Sequence, residues 1–530
     1  MLSELRFPNT VTVLSQDTEH RYHWSDVYEE ADHMGGWLQQ QGVGPNDTII
    51  TFGRTSIDHV VTILAAWLAG AAISVSSVPI RPRKSIALRE RFAMAHSALR
   101  PKVIVGDEDL LPLLELEAES DRVLSFPQLR ESVLDRGPRL AADYAHCKDS
   151  PAVMQLTSGT TGAPKIAEVP YRCLTANLKA IRTRLEISQA DTVVSWLPLS
   201  HDMGLVGFLA TPMITGANLV IADPSVFAAS PPRWMEWCSG HRGTITGGPS
   251  FAYDIAAKTF AGYESGDLSS LRLAMNGSEP VDVGACRGFA LEASKRGMSV
   301  DAMFPVYGLA EATLAVTFPR LNSGLQTDVV DRAALAKRRA LLLSDVVDPS
   351  RCRELPKLGV PLDGLDVRVL TAGGHCARPL EVGSIQVRGD SVIAGYHGSP
   401  PFATEWFDTG DLGYMSDAQL VVCGRQKDII IIAGRNIYPD EIESQLGQLP
   451  GVWRGHVAVF ETNGRSRQSV GVLAEAEDVQ DKGLVDVLKQ VAEDWSGARV
   501  SCVKLVEPGS LPKTPSGKLA RSACKEQVGN

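Results

Sequence analysis

The sequence lacks the features that define several protein classes. Its nine cysteines include no C-x-x-C pair, so neither a zinc ribbon nor a disulfide framework is indicated. Basic residues number 52 against 62 acidic ones, for a net charge of −10, and no nucleic acid is therefore expected as a partner. Residues 1–8 carry no apolar signal core. With 44% hydrophobic and 22% charged residues, the composition is typical of a soluble globular protein, which we expect in the cytoplasm with reduced thiols.

Long uncharged hydrophobic runs are few. A stretch from His59 to Ile80 carries no Asp, Glu, Lys or Arg and is long enough to span a bilayer. Gly70 divides it into a helix-like half and a strand-like half, and Pro79 lies near its end. We therefore predict a buried helix, turn and strand here, and no membrane span.

Apolar strands alternate with helical segments through most of the chain, which is typical of an α/β fold with largely parallel sheets. The predicted strands are 48–52, 103–105, 153–156, 193–197, 219–221, 271–275 and 367–370, and predicted helices include 173–185 and 281–295. Near residue 424 the pattern changes to a helix that begins at Pro439, strands 456–460 and 470–473, a helix 484–495 and a strand 500–506. We predict a large N-terminal lobe of packed α/β subdomains with β-sheets (1–424) and a small mobile C-terminal α+β domain (425–530).

The segment from Thr157 to Lys165 has the composition of a phosphate-binding loop. It reads TSGTTGAPK and follows the predicted strand 153–156. Hydroxyls and backbone amides of such a loop can surround phosphate oxygens, and Lys165 supplies positive charge. A Walker P-loop needs Gly directly before the Lys and Ser or Thr after it, whereas Pro164 and Ile166 stand there. The loop therefore indicates a different type of nucleotide site.

This string resembles the phosphate loop of the adenylate-forming superfamily, which includes acyl-CoA synthetases, luciferases and the adenylation domains of peptide synthetases. Further segments resemble its motifs in the same order along the chain. They are SWLPLSHDMGL (195–205, acyl pocket), NGSEP (276–280) and YGLAEATL (307–314, both adenine), WFDTGD (406–411, ribose), GRQKD (424–428, hinge) and LPKTPSGK (511–518, catalytic lysine loop).

The resemblance implies an acyl-AMP-forming ligase that uses ATP and Mg²⁺. A carboxylate attacks the α-phosphate, and because it approaches a polyanion, positioning and positive charge dominate the catalysis. The implied catalytic residues are Lys518, which bridges the carboxylate and the α-phosphate, Lys165 and the metal ligand Glu311. The residues implied to bind the nucleotide are Thr157, Ser158, Gly159, Thr160, Thr161, Gly162, Gly277, Ser278, Glu279, Tyr307, Gly308, Asp411 and Arg425. Among these, Tyr307 offers a flat face to adenine, and Asp411 and Arg425 bind the ribose.

The same resemblance implies sites for the acid and for the thiol. Lys427 would be the hinge about which the small domain turns between two half-reactions. The loop at Gly434 would then admit a pantetheine thiol, either of CoA or of an acyl carrier protein. The residues implied to line the acyl pocket are His201, Met203, Gly204, Gly248 and Ser250.

Within the superfamily the motifs are most similar to those of the fatty-acyl-AMP ligases. The stretch from about Asn322 to Leu358 resembles an insertion thought to hold the small domain back from CoA chemistry in that branch. Enzymes of this branch hand the acyl group to the phosphopantetheine arm of a carrier protein. The alternative for this stretch is a surface helix and loop without that role.

Some positions depart from the family pattern. Ile166 replaces a glycine, and Pro170 and Tyr171 replace a Ser/Thr-His pair, which predicts altered triphosphate binding. Ser200 stands where related ligases often carry tyrosine, and it would leave room for a bulky natural-product acid instead of a plain fatty acid. Two alternatives to a full ligase stay open: an acyl-CoA ligase with weak adenylation that acts mainly in thioesterification, and a non-catalytic nucleotide-binding relative.

Overall fold

The fold is described from a computed structural model of the chain. The structure describes residues 8–79, 86–116, 122–133, 139–140, 148–157, 165–260, 266–344, 348, 351–432, 435–463, 468–513 and 519–528. Within these ranges, helices long and apolar enough to cross a lipid bilayer are absent.

Strands make up most of the regular structure. In chain order they are β1 (Thr10–Leu14), β2 (Glu19–His23), β3 (Thr48–Phe52), β4 (Ala72–Val75), β5 (Val103–Gly106), β6 (Arg122–Ser125), β7 (Pro151–Thr157), β8 (Lys165–Pro170), β9 (Thr192–Ser195), β10 (Asn218–Ala222), β11 (Ile245–Gly248), β12 (Leu273–Asn276), β13 (Met303–Pro305), β14 (Tyr307–Gly308), β15 (Ala315–Phe318), β16 (Thr327–Asp331), β17 (Cys352–Pro356), β18 (Val360–Pro361), β19 (Leu365–Leu370), β20 (Gly383–Gly389), β21 (Phe407–Ser416), β22 (Gln419–Arg425), β23 (Ile430–Ile432), β24 (Arg435–Ile437), β25 (Val452–Asn463), β26 (Gln468–Ala476) and β27 (Val500–Val506).

Helices cover the faces of the sheets. They are α1 (Trp24–Gln40), α2 (Ile57–Leu68), α3 (Ile86–Leu99), α4 (Phe126–Glu131), α5 (Tyr171–Leu185), α6 (Thr211–Thr215), α7 (Pro224–Ala229), α8 (Arg233–Gly240), α9 (Ser250–Thr259), α10 (Val283–Ser294), α11 (Arg332–Leu335), α12 (Pro439–Leu446), α13 (Lys482–Ser496) and α14 (Arg521–Val528). A π-helix, Met203–Ala210, precedes α6, and short 3₁₀ turns lie at Leu111–Leu114, Val300–Ala302 and Ala310–Ala312.

The N-terminal lobe contains two large sheets, besides the smaller sheets β14-β15-β18, β16-β17 and β19-β20-β21-β22. One large sheet has the order β13-β12-β11-β9-β10-β1-β2 and the other β6-β5-β3-β4-β7-β8. Their neighbours pair in parallel except at the edge strands β2 and β8. The predicted α/β class with largely parallel sheets is confirmed, and ligands of such sheets are expected at the carboxyl ends of the strands.

The uncharged stretch after His59 is a buried helix, turn and strand, as predicted. The Ser56 hydroxyl caps α2 by accepting from the His59 amide. Gly70 has a φ of +83°, which lets the chain reverse into β4. The α2 residues are almost all buried, so this apolar segment lies in the protein core.

The strand predicted at 193–197 ends earlier than expected. Strand β9 stops at Ser195, and the Leu197 amide donates to the Ser195 hydroxyl at 3.1 Å instead of to a neighbouring strand. A local side-chain hydrogen bond therefore replaces the sheet ladder and turns the chain toward the cleft described below.

The stretch 322–358 contains paired strands as well as a helix. Strands β16 and β17 pair antiparallel from Thr327 with Pro356 to Asp331 with Cys352, and Asp331 caps the one-turn helix α11. The alternative of a surface helix and loop is wrong on this point, because the hairpin buries Val330 and Leu355 in a cluster with Tyr414 and Tyr438.

The C-terminal residues form their own α+β layer. Strands β25, β26 and β27 make a three-stranded sheet, and α12 and α13 pack on it through a separate apolar cluster that includes Ile442, Leu446 and Leu488. Pro439 occupies the first turn of α12, as predicted. The last residue of β22 is Arg425, so the proposed domain boundary at 424/425 falls one residue before the end of this strand.

Candidate functional site

A cleft of about 2810 Å³ lies between the two large sheets and the C-terminal layer. Strand ends and loops from both parts of the chain line it. The predicted site residues that line it within the described ranges are Thr157, Lys165, His201, Met203, Ser250, Ser278, Glu279, Tyr307, Gly308, Glu311, Asp411, Arg425 and Lys427. The structure therefore brings most of the sequence-predicted site together in one cavity.

One end of the cleft carries a tyrosine–carboxylate–guanidinium group whose carboxylate, Asp411, is buried. The Tyr307 hydroxyl donates to Asp411 Oδ2 at 2.7 Å, and Arg425 Nε lies 3.1 Å from Asp411 Oδ1. Asp411 and Arg425 face each other across the β21–β22 ladder, so the sheet register fixes their spacing. Burial and the charge of Asp411 raise the pKa of Tyr307, which keeps its hydroxyl protonated as a donor.

Close packing and backbone conformation explain why Gly308 and Ser278 are small residues in this part of the site. A Cβ at Gly308 would meet the Leu314 carbonyl oxygen at 1.9 Å, so only glycine permits this strand crossing. Ser278 holds a φ of +71° and its hydroxyl reaches Met203 Sδ at 3.1 Å. The strained backbone at Ser278 thus connects a predicted adenine segment with the predicted acyl pocket.

The predicted metal ligand Glu311 is held by a residue that sequence reasoning missed. The Tyr396 hydroxyl donates to Glu311 Oε1 at 2.7 Å, and Lys165 Nζ lies 4.6 Å from the centre of the Tyr396 ring. The Ile393 amide donates to the Glu311 carbonyl oxygen at 2.9 Å, which connects the 393–396 segment to the 3₁₀ turn of Glu311. No motif in the sequence marks Tyr396; its role arises from the contact between two distant segments.

This donor set fits Mg²⁺ bound together with a phosphate substrate. Within the described residues there is no group of three or more His, Cys, Asp or Glu side chains that could hold a metal ion. Mg²⁺ is commonly bound by one or two carboxylates plus substrate phosphates and waters. Glu311 can supply such a carboxylate, oriented by its hydrogen bond from Tyr396.

The two ends of the predicted phosphate loop are joined in the edge ladder of a sheet. Thr157 of β7 pairs with Lys165 of β8, and the Thr157 hydroxyl donates to the Lys165 carbonyl oxygen at 3.1 Å. The predicted loop residues Ser158, Gly159, Thr160, Thr161 and Gly162 lie outside the described residues. The ladder fixes where the loop leaves and re-enters the sheet, at the edge of the cleft.

Ile166 is a core residue of β8. Its side chain is 8% exposed and packs in an apolar cluster with Met154 and Leu156 of β7 and Leu88 and Phe92 of α3. The side chain therefore points away from solvent, into the layer between sheet and helix. This burial explains an apolar residue directly after Lys165 without any contact with phosphate.

We expect Ile166→Ala to lower the free energy of unfolding by about 2–5 kcal/mol, because it leaves a cavity in this cluster. Urea unfolding followed by circular dichroism measures the change. Ile86, which is 66% exposed at the start of α3, offers the matched control Ile86→Ala, with an expected change below about 0.5 kcal/mol. Equal stability of the two variants would contradict the core assignment.

The predicted acyl-pocket residues divide into lining and supporting positions. His201 and Met203 line the cleft, and His201 Nδ1 lies 2.6 Å from Asp202 Oδ1. Ser250 also lines it, but its hydroxyl accepts from the Asp282 amide at 2.9 Å and so fixes the start of α10. Among the described residues, the predicted acyl-pocket residues Gly204 and Gly248 do not line the cleft, and neither does Gly277 of the predicted nucleotide site.

These three glycines permit close packing behind the cleft wall. A Cβ at Gly204 would meet the Pro198 carbonyl oxygen at 2.2 Å, and one at Gly277 would meet Val306 Cγ2 at 2.7 Å. At Gly248 the nearest atom would be Trp234 Cη2 at 3.2 Å. The walls of the acid site therefore require small residues, although the ligand-facing surface comes from other side chains.

The depth of the cleft is apolar. Its lining includes Val193 of β9, Ile245 of β11, Phe208 of the π-helix and Met275 of β12. Trp196 stacks on Phe227 with ring centroids 3.7 Å apart and a 6° interplanar angle, which makes one wall rigid. An apolar group of a ligand would be shielded from water in this part.

The base of the predicted lysine loop faces the nucleotide segments. Lys513 bridges to Leu519 in an antiparallel pair, so residues 514–518 are enclosed between two paired residues; Lys518 itself lies outside the described residues. Lys513 Nζ is 3.4 Å from His456 Nε2, and His456 Nδ1 is 2.5 Å from the buried Glu475. Burial lowers the pKa of Lys513, against the opposing charges of Glu475 and Glu279.

The predicted hinge residue lines the cleft beside a buried ion pair. Burial lowers the pKa of Lys427. The next residue, Asp428, pairs with Arg521 of α14 at 2.7 Å, and Arg521 also binds Glu443 of α12. Lys427 thus lies where the N-terminal strands pass into the C-terminal layer, while Gly434, predicted for the thiol passage, lies outside the described residues.

Comparisons with known proteins agree with this geometry. A family model described as AMP-binding enzyme matches residues 4–397. The chain is 36% identical over 519 residues to a putative ligase of Mycobacterium tuberculosis, covering 95% of this chain and 94% of that protein. It is 31% identical over 547 residues to the long-chain-fatty-acid–AMP ligase FadD26 of Mycobacterium marinum, covering 95% and 91%.

The fold is also found among solved structures. A chain from a study of fatty acyl-adenylate ligases from E. coli and L. pneumophila superposes with a TM-score of 0.88 at 27% identity, covering 98% of this chain and 95% of that one. A structure described as the McyG A-PCP complexed with phenylalanyl-adenylate gives a TM-score of 0.85 at 22% identity, with 100% and 94% covered; this second match concerns the fold alone.

Proposed function

Because the chain belongs to the AMP-binding enzyme family, we propose that its cleft converts a carboxylic acid and ATP into an acyl adenylate and then passes the acyl group to a pantetheine thiol. The observation that carries this proposal is the arrangement of two groups in one cavity. Tyr307, Asp411 and Arg425 lie at one position, and Glu311 and Lys165 lie around Tyr396 at another. The first fits a ribose and the second fits phosphate with its cation.

Each group has a distinct task in the first half-reaction. Asp411 accepts hydrogen bonds from the ribose hydroxyls, while Arg425 holds the carboxylate in place. Glu311 would hold Mg²⁺, which would supply positive charge to neutralise the phosphates. Lys165 adds a positive charge at the end of the phosphate loop. The carboxylate oxygen of the acid attacks the α-phosphorus, the bond from that phosphorus to the bridging oxygen of the β-phosphate breaks, and pyrophosphate leaves with the electron pair.

The apolar depth of the cleft indicates the class of acid. A chain of CH₂ groups gains about 0.8 kcal/mol for each one buried, and the residues Val193, Phe208, Ile245 and Met275 offer such burial. We propose an acid with an apolar chain or ring system, fatty-acid-like or a bulky natural-product acid. Ser200 also lines the cleft, and its small side chain leaves room beside the apolar part of the bound acid.

A panel of acids tests this first half-reaction. Pyrophosphate release is measured with short polar acids, straight-chain fatty acids of increasing length, and ring-bearing acids. We expect release to rise with apolar area and to be absent for short polar acids. A preference for acetate or an amino acid would contradict the apolar pocket, and no release with any acid would contradict the proposed activity.

We propose a carrier-protein phosphopantetheine as the acceptor, because the 322–358 stretch binds the C-terminal layer tightly. Arg332 of α11 lies 2.9 Å from Glu441 of α12 and its guanidinium lies 3.8 Å from the centre of the Trp495 ring. Arg353 of β17 donates to Asp440 at 2.5 Å and to the Cys423 carbonyl oxygen at 3.0 Å.

These contacts are well protected from solvent. Arg353 is 8% exposed, and the Asn436 side chain adds a hydrogen bond to the Ala336 carbonyl oxygen at 3.0 Å. Breaking a buried ion pair by removing one partner costs about 3–5 kcal/mol. The insertion therefore opposes a rotation of the C-terminal layer, and a partner protein that contributes its own binding energy can overcome it more easily than free CoA.

Substitution of both arginines tests this restraint. In Arg332→Met/Arg353→Met we expect the rate of acyl-CoA formation to rise about tenfold or more, since removing about 1.4 kcal/mol of restraint already gives a factor of ten. Loading of a holo carrier protein should change less. The enzyme is offered one acid together with both acceptors, and mass spectrometry measures the ratio of acyl-CoA to acyl-carrier protein formed.

Lys337, exposed on the same stretch, provides the control Lys337→Met, which should leave the ratio unchanged. An unchanged product ratio in the folded double variant would contradict the restraint. Efficient acyl-CoA formation by the unaltered protein would instead favour CoA as the acceptor.

A further inference from the structure

Arg91 is a cation in the cleft that none of the motifs includes. It lies in the middle of α3, partly buried, and its guanidinium donates to the Ser77 hydroxyl at 2.6 Å. Within the part of the chain that the structure describes, no carboxylate pairs with it. Burial lowers the pKa of Arg91. A guanidinium held partly out of water without a counter-ion is costly, which indicates an anionic ligand.

Its neighbour on the same helix is different. Arg89, two residues earlier, forms an ion pair with Glu115 at the protein surface. Helical geometry separates residues i and i+2 by about 200°, so the two arginines point to different sides of α3. One side of the helix thus carries a neutralised surface arginine and the other presents an arginine to the cleft.

Sheet topology places Arg91 at the phosphate end of that cleft. Strands β4 and β7 are parallel neighbours, with Ile73 opposite Val153, and the Ser74 hydroxyl donates to the Met154 carbonyl oxygen at 2.9 Å. Beyond β4 the ladder continues, since the Ser76 amide donates to the Thr51 carbonyl oxygen at 2.8 Å. The carboxyl ends of β4 and β7 therefore meet at one edge, about 4.8 Å apart.

At this edge β7 ends in Thr157, where the phosphate loop begins, and β4 is followed by Ser77, which holds Arg91. Ser77, Arg91, Thr157 and Lys165 all line the same cavity. The nucleoside end is fixed elsewhere, at Tyr307 and Asp411, so the anion nearest to Arg91 is the end of the triphosphate farthest from the ribose.

We propose that Arg91 binds the β- and γ-phosphoryl oxygens of ATP and the pyrophosphate that leaves in adenylate formation. The inference rests on the proposed function for its place in the reaction. When the bond between the α-phosphorus and the bridging oxygen breaks, the added negative charge stays on the pyrophosphate. A guanidinium donates two parallel hydrogen bonds to phosphoryl oxygens and stabilises this leaving group. Ser77 orients Arg91 through its hydroxyl.

Binding of magnesium pyrophosphate to the intact protein tests the proposal directly. By isothermal titration calorimetry we expect Arg91→Gln to weaken pyrophosphate binding about tenfold or more, as loss of a charge-assisted contact implies, while AMP binding stays within about twofold. Arg91→Lys should recover part of the affinity, because it keeps the charge but not the planar fork. Arg89→Gln is the matched control and should bind pyrophosphate as the unaltered protein does.

Two further measurements distinguish a failure of the proposed pyrophosphate site from a failure of the ligase activity or of folding. With acid and ATP, Arg91→Gln should lose adenylate formation, but it should still transfer the acyl group from supplied acyl adenylate to thiol at the normal rate. In the unaltered protein, phenylglyoxal modification of Arg91, mapped by peptide mass spectrometry, should slow when magnesium pyrophosphate is present; this arm needs no variant to fold.

Equal pyrophosphate affinity in Arg91→Gln and Arg89→Gln, or no protection of Arg91, would overturn the inference and leave the ligase activity standing. No binding of pyrophosphate by the unaltered protein would also overturn it. If the unaltered protein binds pyrophosphate through Arg91 but releases none from ATP with any acid, the proposed function fails and the anion site stays.

Discussion

Replacing Lys518 by alanine should lower the rate of acyl adenylate formation by about 10³-fold, the size of effect seen when a group that stabilises transition-state charge is removed. The reason is that Lys518 ends the LPKTPSGK loop and would be the cation that neutralises both the incoming carboxylate and the α-phosphate. Pyrophosphate release with the best acid of the panel measures this rate. Thiol transfer from supplied acyl adenylate should fall much less.

The residues that flank this segment lie near the predicted nucleotide segments. The pair Lys513–Leu519 encloses the loop, and the charge of Glu279 in the nucleotide segment acts on Lys513. In this arrangement the loop base faces the nucleotide end of the cleft. Lys489, exposed on α13, gives the control Lys489→Ala. Adenylate formation at a normal rate in Lys518→Ala would favour a non-catalytic or differently catalysed reaction.

A buried network holds the described residues that precede residue 514. Glu475 is fully buried, and its Oε1 accepts from the Leu511 amide at 2.8 Å. Its Oε2 contacts His456, which in turn reaches Lys513. A carboxylate at the end of β26 therefore ties both the start of the lysine segment and its first charged residue to the C-terminal sheet.

Much of the fold follows from the sequence because the decisive signals are local. The strand 48–52 was predicted with the bounds that β3 has, and the helix at Pro439 begins where proline tolerates the missing amide donor. The alternation of apolar strands and helices is enough to predict parallel sheets. Strand 193–197 was predicted too long, since a serine hydroxyl competing with the ladder is a feature of one side chain and not of the pattern.

The sequence predicts those site residues that belong to short motifs. It does not predict residues whose role depends on contacts between distant segments. Asp411 and Arg425 belong to motifs and were both predicted, and the β21–β22 register then pairs them. Tyr396 and Arg91 were missed because each acquires its role from segments far away in the chain: Glu311 for the tyrosine and the ends of β4 and β7 for the arginine. Position relative to a sheet edge is not encoded in any one stretch of residues.

Ile166 is a residue to which the sequence pattern assigns an effect on the site, whereas the structure places it in the core. From the sequence, an isoleucine in place of a glycine beside Lys165 predicts altered triphosphate binding. The structure shows its side chain buried against α3 and β7, where its first consequence is for packing. ATP binding is then decided by the residues that face the cleft, and Asp411 is one of them.

Asp411→Asn should reduce kcat/KM for ATP by about 100-fold, because it removes the charge on which two other side chains depend. Asp411 is 5% exposed, and it accepts from Tyr307 while pairing with Arg425. Loss of that charge removes the ion pair with the partly exposed Arg425 guanidinium. It also replaces the charge-assisted hydrogen bonds from Tyr307 and the ribose hydroxyls by weaker neutral ones, and hydrogen bonds to charged groups are worth about 1.5–3 kcal/mol.

The same substitution should also weaken the second half-reaction, which distinguishes it from Lys518→Ala. The ribose stays bound in the acyl adenylate, so KM for supplied adenylate should rise together with KM for ATP, whereas loss of the lysine mainly affects adenylate formation. Asp417→Asn, at an exposed position in the turn between the same two strands, is the matched control and should change neither constant. If Asp411→Asn folds normally and shifts KM for ATP without any shift for the adenylate, the carboxylate acts on the triphosphate and not on the ribose, and the assignment of this end of the cleft to the nucleoside is wrong.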